Sequence, residues 1–415
     1  MADQKLTDLT ALSALTTDDL FYVVDDPSGT PTSKKLAVSV LDARYQNKYQ
    51  QVVVVAKSGG DFTTIQGAID SITDATTNKR YAVLVYPGNY AEAVTMEDYV
   101  DIIGTGRTNS RITGTTGTVL TYPANKGTVI DMGIYVDYGT LGATSTAIAS
   151  AGADSVMIRC DIGVTKAGGD YIMNAMNISA GAFRMSDCYF TYSITGATTA
   201  TQLTQSAVVQ TGVLTTVILN NNEMTITCDD TNDDLVGFES TANVTGIALV
   251  ANNVISVDGG AACSSATGLW LYGTGSGMIA NQNRITVNCN ASAYGLWIDS
   301  VAGGATVDTR HNEIIVTSVG AAQSANVATG DTWNSVFDKI TAASGYAGAG
   351  TITLVSSEID GGLTITGNLS AGTHVELLET TTPAAVANYG KVYTKNDNKL
   401  YFQDGAGAEH EIAFV

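Results

Sequence analysis

The sequence predicts an all-β solenoid of stacked coils, from a repeat, the alternation inside it and its spacing. One short pattern recurs as Asn222-Glu-Met-Thr-Ile, Asn253-Val-Ile-Ser-Val, Asn283-Arg-Ile-Thr-Val and Asn312-Glu-Ile-Ile-Val, at steps of 31, 30 and 29 residues. With the first position relaxed it extends back through Cys188, Cys160 and Met132, at steps of 34, 28 and 28 residues. A fixed period in this range marks units that are too small to bury their apolar face except by stacking. Within each copy the apolar residues alternate with period 2, so each copy is a strand. No helical segment separates the copies. About eight coils at ~4.8 Å each predict a shaft of ~40 Å.

Composition agrees. Only 14% of the 415 residues are charged and 43 are glycine, which suits a chain of tight turns and short strands. A net charge of −20 disfavours phosphate backbones and anionic membranes as partners. Neither nucleic-acid binding nor membrane insertion is expected. No charged-then-apolar leader opens the chain and no apolar run approaches a membrane span, so synthesis in a cytoplasm is expected.

Residues 1–50 differ from the rest. Asp19–Asp25 reads as a strand, Pro27–Pro31 as a turn and Lys35–Ser39 as a return strand, followed by a short amphipathic helix over Val40–Tyr49. A segment this small buries little alone and needs a partner. The run Lys5–Leu12, followed by Asp19-Leu-Phe-Tyr-Val-Val-Asp-Asp and Ser33-Lys-Lys-Leu, resembles the N-terminal module of many bacteriophage tail fibre and tail-associated proteins.

The solenoid opens at Val52. Thr63-Thr-Ile-Gln66 reads as a capping box, and Ile65, Ala68, Ile69 and Ile72 form a helical apolar stripe. Such a helix would seal the first coil, whose strand edges are otherwise open. Gly60-Asp-Phe-Thr-Thr-Ile-Gln-Gly-Ala-Ile, with Pro87-Gly-Asn-Tyr-Ala-Glu92, closely resembles the opening of the pectinesterase family and of related right-handed parallel β-helices. The resemblance implies that fold. It does not imply the activity, because the Asp-Phe-Ile-Phe-Gly and Gly-Arg-Pro-Trp motifs that carry the family's catalytic residues are missing downstream. Glu92 and its neighbours are read as a turn and packing element, and no catalytic residue is assigned.

Inside the repeats, Asn222, Met224 and Ile226 should face the core, while Glu223, Val254, Arg284 and Glu313 form an outward column with an Arg284–Glu313 pair. A second element precedes each of the last three asparagines: Gly237-Phe-Glu-Ser, Gly268-Leu-Trp-Leu-Tyr and Gly295-Leu-Trp-Ile-Asp. Alternation turns Phe238, Leu269, Leu271, Leu296 and Ile298 inward, and Glu239, Trp270, Tyr272, Trp297 and Asp299 outward. Stacked tryptophans beside carboxylates are what a pyranose ring and its hydroxyls require, so these five are the glycan-binding candidates. The competing reading packs the same aromatic face against another subunit.

Other chemistry is thinner. Asp230, Asn232 and Asp234 have calcium-loop spacing, but the required glycine and closing glutamate are missing, so a solvated acidic loop is expected. His311, His374 and His410 are scattered, and no metal or cofactor is expected. Five cysteines without dense spacing read as reduced core thiols. Cys160 and Cys188 stack within reach, whereas Cys228 and Cys289 are two coils apart, ~10 Å. Glu239 and Asp299, also two coils apart, fall just beyond the separation that an inverting glycosidase uses.

Past Ser318 the regularity fades. Ala321–Asp331 reads as a linker, Thr332–Ile340 as a short helix, and Thr351–Val355, Gly362–Thr366 and His374–Leu378 as strands. The tail Tyr389–Ile412 reads as a hairpin turning at Asn396-Asp-Asn, and it resembles a short C-terminal module of phage structural proteins. The expected organisation is an attachment and oligomerisation module at 1–50, a right-handed parallel β-helix at 51–330, a linker with further strands or a trimeric β-prism at 331–380, and a C-terminal hairpin module at 381–415. The two terminal resemblances imply a virion structural protein, a tail fibre or tailspike. It would be a homotrimer that docks to other virion proteins through residues 1–50 and contacts host-surface glycan with its solenoid. A capsid decoration protein and a polysaccharide-depolymerising tailspike are the alternatives. The short coils favour a structural role over an enzymatic one.

Overall fold

The computed structural model describes residues 20–25, 32–37, 49–140, 145–167, 172–196, 203–212, 214–229, 233–241, 244–260, 263–272, 277–300, 303–318, 320–348, 350–355, 357–363, 381–384 and 390–412. The chain divides into two compact units, Met1–Thr364 and Ile365–Val415.

The first unit holds a parallel β-helix. A regular coil has three strands, and one coil serves as the pattern. Gly277–Asn281 lies on a first face, Arg284–Asn288 on a second and Ser292–Ile298 on a third, after which Thr306–Arg310 returns to the first. Ladders between successive coils are parallel and in register, as in Ile285 with Ile314 and Leu269 with Leu296. The inward residues form one apolar cluster running from Val55 to Ala342. Asn222, Met224 and Ile226 are buried in it, and the outward Arg284–Glu313 pair forms at 3.2 Å.

A left-handed residue turns the chain from the first face to the second. Arg159, Asp187, Asn221, Asn252, Gln282, His311 and Phe337 all have φ between 51° and 57°. The next residue points inward and builds a ladder. The backbone N–H of Asn222 donates to Asn253 Oδ1 at 2.9 Å, that of Asn253 to Asn283 Oδ1 at 2.9 Å, and that of Asn283 to Asn312 Oδ1 at 2.9 Å. Each Nδ2 also donates to a backbone carbonyl, as Asn253 does to Leu219. Every polar atom turned into the core at this corner therefore finds a partner, as burial demands.

The solenoid is longer than its repeat predicts. Among the described residues its first face has twelve strands, from Gln51–Val55 to Thr351–Val355, so eleven steps of ~4.8 Å give a rise of roughly 53 Å. The expected linker and helix at 321–340 are instead the strands Ala321–Val327 and Thr332–Val336 and the start of Lys339–Gly348. Their inward residues hide the pattern, because Ser335 and Asp338 are polar and buried. Asp338 takes the ladder position after Asn312, and its Oδ1 accepts the Asn312 backbone N–H at 2.7 Å. Trp333 is fully buried, and its indole N–H donates to Thr309 Oγ1 at 2.8 Å.

A helix, Ile65–Asp70, does form where the apolar stripe predicts it, with Ile65, Ala68 and Ile69 buried. Its cap is Thr64, not Thr63. Glu92, from the following coil, accepts the N–H groups of Ile65 at 2.8 Å and Gln66 at 2.9 Å. That carboxylate does what the capping box assigned to Gln66, whose side chain reaches Asp70 and Thr95 instead.

All five cysteines are buried free thiols. Cys160 and Cys188 stack as expected, with the Cys160 N–H 3.3 Å from Cys188 Sγ. Cys263 and Cys289, which the spacing did not pair, have their sulfurs 3.6 Å apart.

Leu20–Asp25 pairs antiparallel with Thr32–Ala37, as the N-terminal pattern predicts. The helix expected over 40–49 lies outside the described residues apart from Tyr49, as do the strand at 374–378 and positions 230–232 of the acidic loop. In the second unit Lys391–Thr394, Leu400–Gln403 and Glu409–Glu411 form an antiparallel sheet. It extends the expected hairpin by one strand, and Asn398 at φ 61° makes the turn.

Candidate functional site

The third face carries the five residues singled out in the sequence. Glu239, Trp270 and Trp297 fall in one register column, flanked by the buried Phe238, Leu269 and Leu296. The recurring glycine ahead of them has a steric cause. A Cβ on Gly268 would stand 2.5 Å from Ile285 Cγ2 and 2.8 Å from the Gly295 carbonyl. The strand also breaks alternation there, since Ala293 and Leu296 are both buried although three residues apart. The break turns Tyr294 outward onto Trp297, with ring centroids 4.6 Å apart. Strict alternation counted from Trp297 sends Tyr294 inward, and so it escaped the sequence reading.

These side chains form an aromatic cluster, and much of it packs against itself. The Trp270 and Trp297 rings stack 5.1 Å apart at 21°, and Tyr272 meets Trp270 edge-on at 6.0 Å. The two indoles therefore spend one face each on the other, leaving ring edges and outer faces for a ligand. The indole N–H of Trp270 is buried without an acceptor among the described residues. Asp299 is half-buried beside this cluster and Tyr272 is exposed.

Glu239 is in the expected column but does not present an open carboxylate. It is 9% exposed, and the Ser206 hydroxyl donates to its Oε2. Burial pushes its carboxyl above the ordinary glutamate value, against a smaller lowering by Ser206. The folded protein therefore holds the proton more tightly than the unfolded chain. This contribution to stability is complete below the unfolded value and is lost as pH rises through the folded one. Glu239→Gln should accordingly unfold at higher denaturant than wild type near neutral pH, with the gain vanishing on acidification. A gain that is the same at both pH values would show that Glu239 is not the titrating group.

On the second face, a concavity of about 780 Å³ is lined by Tyr135, Asp137, Asp161 and Glu92, with Gly163 and threonines between them. None of these residues was a sequence candidate, because Tyr135 stands in a weakly matching early copy of the repeat. A smaller hollow of about 390 Å³ at the left-handed corner holds Arg107 and Arg159, with the Arg107 guanidinium 4.0 Å over the exposed Tyr189 ring. Among the described residues no group of three His, Cys, Asp or Glu is placed to hold a metal ion. No helix there is long and apolar enough to cross a membrane.

No protein-family model matches the chain, and no curated protein matches it. Solved structures do. A pectin methylesterase from carrot is 14% identical with a TM-score of 0.46, over 68% of this chain and 85% of that one. A mannuronan C-5 epimerase A-module of Azotobacter vinelandii is 14% identical with a TM-score of 0.31, over 75% and 95%. The tailspike protein 3 of bacteriophage CBA120 is 11% identical with a TM-score of 0.31, over 95% and 73%.

Proposed function

We propose that this chain is a virion structural protein, a bacteriophage tail fibre or tailspike whose solenoid contacts host-surface glycan. The observation that carries the glycan part is a long parallel β-helix with an aromatic and carboxylate-bearing exterior, Trp270, Trp297, Tyr294 and Asp299 on one face and Tyr135 on another. The virion part rests on the N- and C-terminal sequence resemblances. In this reading the chain is a homotrimer attached through residues 1–50, and the solenoid supplies reach.

Native mass measurement should give three chains per particle, and labelled antibody should decorate the tails of virions. A monomer in solution removes the trimer, and labelling of the head alone moves the protein to capsid decoration. The depolymerase reading is weakened by the cover over Glu239. Release of oligosaccharides from host polysaccharide that is abolished in Glu239→Gln would restore it.

A further inference from the structure

Thr113, Tyr135, Gly163 and Thr191 stack in one outward column of the second face, in four successive coils. This column floors the 780 Å³ groove. The Tyr135 ring lies down along the sheet because two glycines leave room for it. A Cβ on Gly163 would be 2.7 Å from its Cδ1, and one on Gly133 would be 2.8 Å from its Cε2. The Tyr135 hydroxyl donates to Asp161 Oδ2 at 2.6 Å, which pins the ring in the plane of the sheet. Partial burial and that bond push the phenol up to about 12, so it remains a donor. The Arg111 guanidinium, tied by its Nε to the Thr108 carbonyl at 2.7 Å, lies over the Tyr135 ring with its central carbon 5.1 Å from the centroid, at the edge of the groove.

The carboxylates around this platform are already oriented. Asp137 Oδ1 accepts the Thr165 hydroxyl at 3.0 Å and the Gly139 N–H at 3.1 Å. That leaves Asp137 Oδ2, and Oδ1 of Asp161, without a bond to the described residues. A flat ring with oriented acceptors beside it is the chemistry that fits a pyranose, whose apolar face lies on the ring while its hydroxyls donate to the carboxylates. The groove's charge then selects among sugars. Glu92, Asp137 and Asp161 line it and no lysine, arginine or histidine does. A uronate would bring like charge against three carboxylates, which the Arg111 guanidinium over the ring offsets only in part.

We propose that this groove is a saccharide site of the solenoid and that it takes a neutral hexose or N-acetylhexosamine, stacked on Tyr135 and held by Asp137 and Asp161. The inference rests on the glycan-contacting reading above and sharpens it in place and in ligand class. It also differs from the tryptophan cluster in a physical respect. Tyr135 rests on Gly163 and Gly133 and lines the groove with Arg111 over part of its ring, whereas Trp270 and Trp297 cover one another.

The test uses the full chain on a panel of neutral hexose and N-acetylhexosamine oligosaccharides together with uronate oligosaccharides. Wild type is compared with Tyr135→Ala, Tyr135→Phe and Trp270→Ala. Wild type should bind at least one neutral probe, and Tyr135→Ala should bind it about tenfold or more weakly. Tyr135→Phe, which keeps the platform, should retain most of the affinity, and Trp270→Ala should weaken binding less than Tyr135→Ala does. Tyr135→Phe also guards against misfolding as the cause of the loss in the alanine variant. Binding lost in Trp270→Ala and kept in Tyr135→Ala overturns the site but leaves the glycan reading intact. Binding to uronates alone overturns the ligand class and points to the Arg107 corner. Wild type that binds no probe overturns the inference and the glycan reading together.

Discussion

Asp338→Ala is expected to lower the stability of the solenoid by about 4 kcal/mol or more, read as a fall in urea midpoint at constant m. Asp338 is 1% exposed, and its two oxygens serve four buried donors. Oδ1 accepts the Asn312 backbone N–H at 2.7 Å and its Nδ2 at 2.9 Å. Oδ2 accepts the hydroxyls of Thr309 at 2.5 Å and Ser335 at 2.6 Å. Thr309 in turn holds the Trp333 indole N–H, so the loss spreads into the core beneath it. Each stranded donor costs about 1–3 kcal/mol, and the two hydroxyls can rotate to recover part of that. Asp338→Asn should lose much less. Its remaining oxygen can serve Asn312, and its amide can donate to the two hydroxyls. A loss below about 1 kcal/mol in the alanine variant would contradict this network.

Lys166→Met should cost about 3–5 kcal/mol, and adding Asp233→Leu should restore most of it. Lys166 Nζ and Asp233 Oδ2 are 3.6 Å apart, and both side chains are fully buried. Gln205 bridges the pair to its surroundings. Its Nε2 donates to Asp233 at 3.0 Å, while its Oε1 accepts the Met173 N–H at 2.7 Å. Removing the lysine alone takes the cation from beside the Asp233 carboxylate in the core, whereas removing both charges leaves the Gln205 amide to find another acceptor. The comparison is made by denaturant unfolding of the two variants side by side. A double variant as unstable as the single one would show that shape at this site matters more than charge.

The fold was legible because four coils use the same corner residue, asparagine, and the same aliphatic pair behind it. It became illegible where the chain met the same geometric demand with other chemistry. At 332–338 the inward positions are tryptophan, serine and aspartate, a sequence that reads as polar. Only the partners from neighbouring coils, Thr309 and Asn312, explain why it can be buried. The helix cap moved by one residue for the same reason, since Glu92 lies in another coil. The candidate surface was half legible. Counting from each asparagine placed Glu239, Trp270 and Trp297 in one column, because register within a strand is a local property. Whether a ring in that column is open or covered depends on its neighbours one coil away. Counting could not see that Trp270 stacks on Trp297, that Ser206 covers Glu239, or that Gly163 clears a bed for Tyr135.

The corner ladder also has a direction. Each backbone N–H donates forward, to a side-chain oxygen of the coil that follows, from Cys188 to Asn222 and onward to Asp338. A nascent chain leaves the ribosome N-terminus first, so its newest corner always holds a donor whose acceptor has not yet been synthesised. Vectorial growth thus closes each corner one coil late and keeps the growing tip its least satisfied point. Asp338, whose carboxylate only accepts, ends the run of side-chain amides, while its own N–H carries the relay one coil further to the Ser357 hydroxyl at 3.2 Å. A chain truncated between Asn312 and Asp338 would stop with its last asparagine corner still waiting.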